Sequence, residues 1–391
     1  MKSRLPQLRY CALQGFIWGI FGVLVGYSHV YLLSLGLSNT QVSLALAVAS
    51  ALSVGLTPLL TALAARWKGL TVSRVLCALA AGIALAGLLL LCLPGGPVQG
   101  VLLYGLAFIF LHLVPGFANS LGMGGIRRGL HMNFGIARGI GSICYSVVSL
   151  TAGRLNERLG VWIIPALAGL LALGVFGFTA AFARCAGGCL EQPEPGKKEQ
   201  GLFRANPGFL PFLAACVCLM TSHNLLTNFM YEIVVSKGGG TAQQGSILSL
   251  SAALELPTMF LFVHMARRWR CDNWMKLSAV FFTLRALGML LAPNVGWALA
   301  VQFTQPLGFA LYTVAGTYYV SSVVSGRYEL RAQAFLHMTS TLGSIVSLLL
   351  GGVILDSLGA GALLGLAVAF GVLGFVIYLP ALSRVERVVG A

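Results

Sequence analysis

Twelve apolar runs, each long enough to cross a bilayer, follow one another along this chain. They fall near residues 10–35, 41–64, 71–93, 98–123, 134–156, 160–184, 208–235, 243–266, 274–293, 296–322, 331–356 and 359–382. A span needs about 20 mostly apolar residues at the helical rise. Only 9% of the residues are charged and 58% are hydrophobic, whereas a soluble domain carries roughly a quarter of its residues charged. Lipid is therefore the predicted solvent, and runs of this length satisfy their backbone groups there as helices. Turn signals mark the breaks: Gly36 to Asn39, Lys68–Gly69, Pro94 to Pro97, Gly238 to Gly240, and Pro293–Asn294. The first run is too long for the apolar core of a signal peptide and shows no small-residue cleavage site, so it reads as a retained span.

The basic residues set the orientation. One set of inter-run segments holds Lys2, Arg4, Arg9, Arg66, Lys68, Arg74, Arg127, Arg128, Arg184, Lys197, Lys198, Arg204, Arg267, Arg268, Arg270, Lys276, Arg327, Arg331, Arg384 and Arg387. The alternate set holds Arg154, Arg158 and Lys237. Twenty against three places both termini in the cytoplasm, which requires an even number of spans. The polar stretch 185–207 reads as a cytoplasmic linker between an N-terminal half, 1–184, and a C-terminal half, 208–391. The formal net charge of +15 is dispersed in these short clusters. No basic face interleaved with aromatics forms, which argues against nucleic acid. The nine cysteines lie mostly inside apolar runs and show neither a disulfide framework nor zinc-ligand spacing.

The halves echo each other at an offset of 199 residues. Gly153, Glu157, Leu159 and Gly160 map onto Gly352, Asp356, Leu358 and Gly359, and Arg128 maps onto Arg327. Ala65–Arg66–Trp67–Lys68 has a slightly shifted counterpart in Ala266 to Arg270. Two parallel six-span repeats around a midplane site are the major facilitator architecture. The predicted fold is therefore an all-α membrane protein of twelve transmembrane helices in two six-helix halves.

Short motifs narrow this. The stretch Asn133–Phe134–Gly135–Ile136–Ala137–Arg138, followed by Gly141 and Tyr145, resembles the fifth helix of lactose permease and its sugar–proton symporter relatives. The resemblance implies that Arg138 binds substrate and that Tyr145 replaces the aromatic residue that stacks on it. Thr283–Leu284–Arg285 and Gly288 resemble the ninth-helix segment carrying a coupling arginine, which implies that role for Arg285. Arg331–Ala332–Gln333–Ala334 resembles the related phenylpropionate permease branch. Two features depart from the pattern. The first cytoplasmic loop, Thr61 to Gly69, lacks the usual aspartate. The tenth run has no charge where the permease carries a histidine and a glutamate, and offers Gln302, Gln305 and Tyr312 instead.

Ionisable residues inside spans are costly and mark function. Glu255 lies centrally in the eighth run and can exchange a proton as its surroundings switch sides; a fixed ion pair with Arg285 is the competing reading. Glu232, near the end of the seventh run, reads as an interfacial, solvated acid. Arg285 is too deep to snorkel, whereas Arg138 sits close enough to its span end to do so. Ser222, His223, Asn224, Thr227 and Asn228 form a polar stripe on the seventh helix. His223, Asn224 and, on the fourth helix, Asn119 are candidate substrate contacts; helix-to-helix hydrogen bonding is the alternative. The aromatics of the first run, Trp18 among them, read first as packing and anchoring residues. Gly15, Gly19, Gly22 and Gly26 share one face that allows close helix approach.

A proton-coupled symporter for a small polar organic solute, in the cytoplasmic membrane, is the leading expectation, with Arg138, Tyr145, Asn119, His223 and Asn224 on the substrate and Glu255 with Arg285 on the proton. An exporter of drugs or metabolites on the same fold is the alternative. No phosphate-binding Gly-x-x-x-x-Gly-Lys-Ser/Thr loop and no convergent catalytic cluster are present, which argues against an ATP-driven pump and an enzyme. Neither cofactor nor metal is expected; the expected partners are the solute, protons and lipid, and the expected state is a monomer.

Overall fold

The computed structural model describes residues 5–67, 69–93, 96–185, 203, 208–324 and 326–389. Its elements there are all helical: α1 (Leu5–Ile20) continued by a π-helical turn (Phe21–Val25), α2 (Ser28–Ser34), α3 (Asn39–Arg66), α4 (Val72–Cys92), α5 (Pro97–Arg127), α6 (Phe134–Leu159), α7 (Ile163–Cys185), α8 (Phe209–Asn228), α9 (Met230–Ser236), α10 (Thr241–Met265), α11 (Cys271–Leu291), α12 (Val295–Val301), a 3-10 turn (Gln302–Thr304), a π-helical turn (Pro306–Ala310), α13 (Leu311–Val323) and α14 (Gly326–Val389). Among these residues, ten helical segments are long and apolar enough to cross a membrane. Lys2, Arg4, Lys68, Pro94–Gly95 and nearly all of the expected linker lie outside the described residues.

The chain divides into two compact units, one comprising Met1–Lys197 with Gln244–Ala252, the other Lys198–Gln243 with Ala253–Ala391. In the first unit α1 packs on α6 and α7, and α4 on α5 and α7. The glycine face of α1 is what α6 meets: a Cβ on Gly22 would lie 2.7 Å from Ser149 Oγ and 3.3 Å from the Tyr145 carbonyl oxygen. The segment 244–252 belongs to this unit through polar contacts. Gln244 Nε2 donates to the Gly26 carbonyl at 2.7 Å, and Ser146 Oγ to the Ser249 carbonyl at 2.9 Å.

In the second unit α8 packs against α14. Ser222 Oγ donates to the Ala367 carbonyl at 2.7 Å, and Asn224 Nδ2 to the Ser340 carbonyl at 3.1 Å. Residues 340 and 367 would be about 40 Å apart on a straight helix, yet neighbouring residues of α8 touch both. α14 is therefore a hairpin. It turns at Gly359, whose φ of +80° is open to glycine. Gly160, its repeat mate, ends α6 with φ +93°. A second match escaped the sequence reading because its offset is 202 rather than 199. The Ser38 N–H donates to Gln41 Oε1 at 3.0 Å, and the Gly240 N–H to Gln243 Oε1 at 2.9 Å, each capping the helix that follows.

The tenth predicted span, 296–322, is not one continuous helix. Pro306 lacks an N–H and its ring obstructs the carbonyl one turn back, so the rod is interrupted by the 3-10 and π-helical turns. Close helix approach also makes a stability prediction. A Cβ on Gly343 would sit 2.7 Å from Met220 Cβ and 2.8 Å from the backbone of residues 220 and 221, whereas Gly365 has nothing within 4 Å. Gly343→Leu is expected to destabilise the fold by about 1–3 kcal/mol through overpacking, while Gly365→Ala leaves it unchanged or firmer. Thermal unfolding in detergent checks both; equal midpoints for the two variants would count against the packing.

Candidate functional site

Among the described residues a polar cluster stands out in each unit. In the first, Asn133 caps α6 by accepting from the Ile136 N–H at 3.1 Å and ties it to α1 through its own N–H, which donates to Gln7 Oε1 at 2.6 Å. One turn later Arg138 reaches α1: its Cζ lies 3.8 Å from the Trp18 ring centroid. Arg138 Nη1 donates to Ser142 Oγ at 2.9 Å. Trp18 Nε1 donates to Gln14 Oε1 at 3.2 Å, and Gln14 Nε2 donates to the Tyr10 hydroxyl at 2.8 Å and to Asn119 Oδ1 at 3.3 Å. Arg138 and Asn119, chosen separately from the sequence, are thus linked through Trp18 and Gln14. The sequence reading gave Trp18 a packing role and overlooked Gln14. Their signal was the spacing of four in Tyr10, Gln14 and Trp18, which puts all three on one face of α1. Tyr145 lies two turns beyond Arg138 on α6, within electrostatic reach of Tyr27.

The second cluster is more deeply enclosed. Arg285 of α11 is 3% exposed. Its Nη1 donates to His223 Nδ1 at 3.0 Å and its Nη2 to Gln302 Oε1 at 2.9 Å. A guanidinium only donates, so Nδ1 is the acceptor and His223 carries its proton on Nε2, 3.4 Å from Thr227 Oγ1. The His223 ring stacks on Phe309, with centroids 4.4 Å apart, and meets the edge of Phe282. Gln302 Nε2 is held by the Ala298 carbonyl at 2.7 Å. Glu255 accepts from Gln305 Nε2 at 2.9 Å, and its charge is felt at Arg285.

The seventh-helix stripe splits by direction. His223 faces Arg285, while Ser222, Asn224 and Asn228 bond α14; Asn228 Nδ2 reaches Ser344 Oγ at 3.2 Å and Ser347 Oγ at 2.9 Å. The structure therefore separates Asn224 from His223. Glu232 also differs from expectation: both carboxylate oxygens are enclosed without a hydrogen-bond partner among the described residues. Its short helix α9 packs against α8 and α14, which covers the span end. His112 Nδ1 donates to the Phe108 carbonyl at 2.8 Å, and the ring packs on Phe108 and Phe21 as a satisfied interior group.

Chemically, each cluster offers one arginine surrounded by neutral hydrogen-bonding groups and aromatic faces, and the second adds a carboxylate. Such a set can hold hydroxyl, carbonyl or ring groups of a small solute and can carry a proton.

The sequence model described as the MFS_1 like family matches residues 8–366. The chain belongs to that family. A Deinococcus radiodurans protein described as a sugar efflux transporter is 27% identical over 161 residues. That match covers 41% of this chain and 41% of the relative's length. Among solved structures, the nucleoside transporter NupG superposes with a TM-score of 0.76 at 15% identity, covering 97% of this chain and 98% of that one. An auto-inhibited POT family peptide transporter gives a TM-score of 0.76 at 11% identity, covering 98% and 97%. A bacterial homolog of the human lysosomal transporter Spinster gives 0.69 at 13% identity, covering 98% and 97%. At these identities the likeness is one of fold.

Proposed function

We propose that this MFS_1-like chain is a secondary active transporter that carries a small organic solute across the cytoplasmic membrane by alternating access, in symport with protons. One observation carries the reading: inside a bundle of membrane-length helices, a 3% exposed arginine is held by His223 and Gln302 with the Glu255 carboxylate in electrostatic reach. Buried charge of this kind costs several kcal/mol and is kept where ions or polar solutes pass. Arg138, Tyr145, Asn119, His223 and Asn224 are the proposed substrate contacts, with Glu255 and Arg285 handling the proton.

The proposed topology is twelve spans in two six-span halves, with both termini cytoplasmic and a single copy as the working unit. Nine of the ten membrane-length segments cross once, the hairpin of α14 supplies two crossings, and the interrupted rod 295–323 supplies the last. The charge alternation supports the cytoplasmic side for the termini. Uptake of labelled sugars, nucleosides and aromatic acids into proteoliposomes, with and without an imposed pH gradient, tests the coupling. Uptake indifferent to the gradient would remove proton symport.

A second reading, export by proton antiport, is favoured by the description of the Deinococcus relative and by the charge-free rod 295–323. Inside-out vesicles separate the two by the direction in which a pH gradient drives the solute.

A further inference from the structure

Gln305 occupies an unusual place. It is the single residue between the 3-10 turn Gln302–Thr304 and the π-helical turn Pro306–Ala310. Its N–H donates to the Gln302 carbonyl at 2.9 Å, and its own carbonyl accepts from the Ala310 N–H, five residues on, at 3.3 Å. Pro306 supplies no N–H. The helical pattern therefore changes pitch on both sides of this residue, and such joints repack at low cost.

Its side chain is 3% exposed, and Nε2 donates to Glu255 Oε1 at 2.9 Å. Its amide oxygen is enclosed and has no hydrogen-bond partner among the described residues. A buried acceptor left open is costly, and the amide chemistry accounts for it. Toward an ionised carboxylate a glutamine offers its NH₂. Toward a protonated carboxyl it turns and offers its oxygen to the new O–H. Both ends of the amide are thus used, one in each proton state, and the end idle in this structure is the acceptor. Leucine or methionine would fill the same volume and serve neither state.

We propose that Gln305 is a positioning residue that reads the proton state of Glu255 and passes it, as a half-turn of its amide, to the soft joint at 302–310. This rests on Glu255 being a proton site. When Glu255 takes a proton, its O–H donates to Gln305 Oε1 and the Nε2–Oε1 bond of this structure is given up. Arg285 of α11 is in electrostatic reach of Glu255, and one hydrogen bond beyond it lies His223 of α8. The guanidinium bonds His223 and Gln302 in this structure, while Gln305 is in direct hydrogen bond with the acid.

The test is infrared difference spectroscopy of the full chain in lipid, with pH as the only probe. The carboxyl band of Glu255 is identified by its loss in Glu255→Gln. In Gln305→Leu and Gln305→Met that band is expected to move to higher frequency, because the carboxyl loses one hydrogen bond. Thr304→Val, which removes a hydroxyl bonded to the Val301 carbonyl in the same joint, is expected to leave the band in place. A band unmoved in both Gln305 variants overturns the inference. So does a shift of the same size in Thr304→Val, which would mark the joint rather than the amide. If no titrating band disappears in Glu255→Gln, the underlying assignment of Glu255 falls instead, and the inference with it. Should Gln305→Leu fail to fold, Gln305→Met carries the same reading.

Discussion

Arg285→Leu is expected to abolish transport and to lower the unfolding midpoint of the purified chain, while Arg285→Lys folds but transports at least about tenfold more slowly. The leucine variant takes away the guanidinium donors to His223 Nδ1 and Gln302 Oε1, both buried. Each such loss costs about 1–3 kcal/mol. Lysine restores the charge but presents a compact ammonium on a flexible stem. The two acceptors are served by separate nitrogens of one planar fork, a geometry lysine does not reproduce. Thermal unfolding in detergent and initial uptake rates in proteoliposomes measure the two effects. A leucine variant with wild-type rate and midpoint would remove Arg285 from the mechanism and from the structural core alike.

Glu255→Gln is expected to abolish accumulation while sparing exchange. A gradient of one pH unit supplies the free energy for about a tenfold concentration ratio per proton. Wild-type vesicles loaded to be alkaline inside should therefore approach an inside-to-outside solute ratio of about ten for one-proton symport. The glutamine variant should settle at a ratio of one, because its amide carries no titratable proton, and it should still exchange labelled for unlabelled solute. The amide keeps the shape of the acid beside Gln305 Nε2, so the helices are expected to remain in place. Tenfold accumulation by the variant would transfer proton coupling to another acid, with Glu232 the next to examine because its carboxylate is enclosed without a hydrogen-bond partner among the described residues.

The helical class, the number of apolar runs and the repeat were legible in the sequence because each depends on long-range averages of composition and charge. What escaped notice was local. Twenty consecutive apolar residues say nothing of where the tenth rod changes pitch; that is decided by one missing N–H at Pro306. The repeat was visible at Gly160 and Gly359 but not at Ser38 and Gly240, where the register shifts by three and the N-cap residues differ although both helices are capped by a glutamine. At the sites, the sequence supplied Arg138, Asn119, His223, Glu255 and Arg285 as isolated candidates, since embedded polar groups stand out one by one. Their partners did not stand out. Trp18 and Phe309 look like ordinary membrane aromatics until a guanidinium or an imidazole is found on the ring face. Asn224 and His223 are adjacent in the chain, and a helix turns adjacent residues about 100° apart, so one meets α14 and the other Arg285.

The hairpin of α14 bears on how the chain is made. Its two arms meet at one glycine, with no loop between them, and the apolar stretch through them is 51 residues long. Between the arms a ribosome delivers only Asp356 and Ser357 as polar residues before the bend. Gly359 therefore carries the join alone: a side chain there meets open space, yet it would have to hold a φ of +80° that glycine adopts without strain.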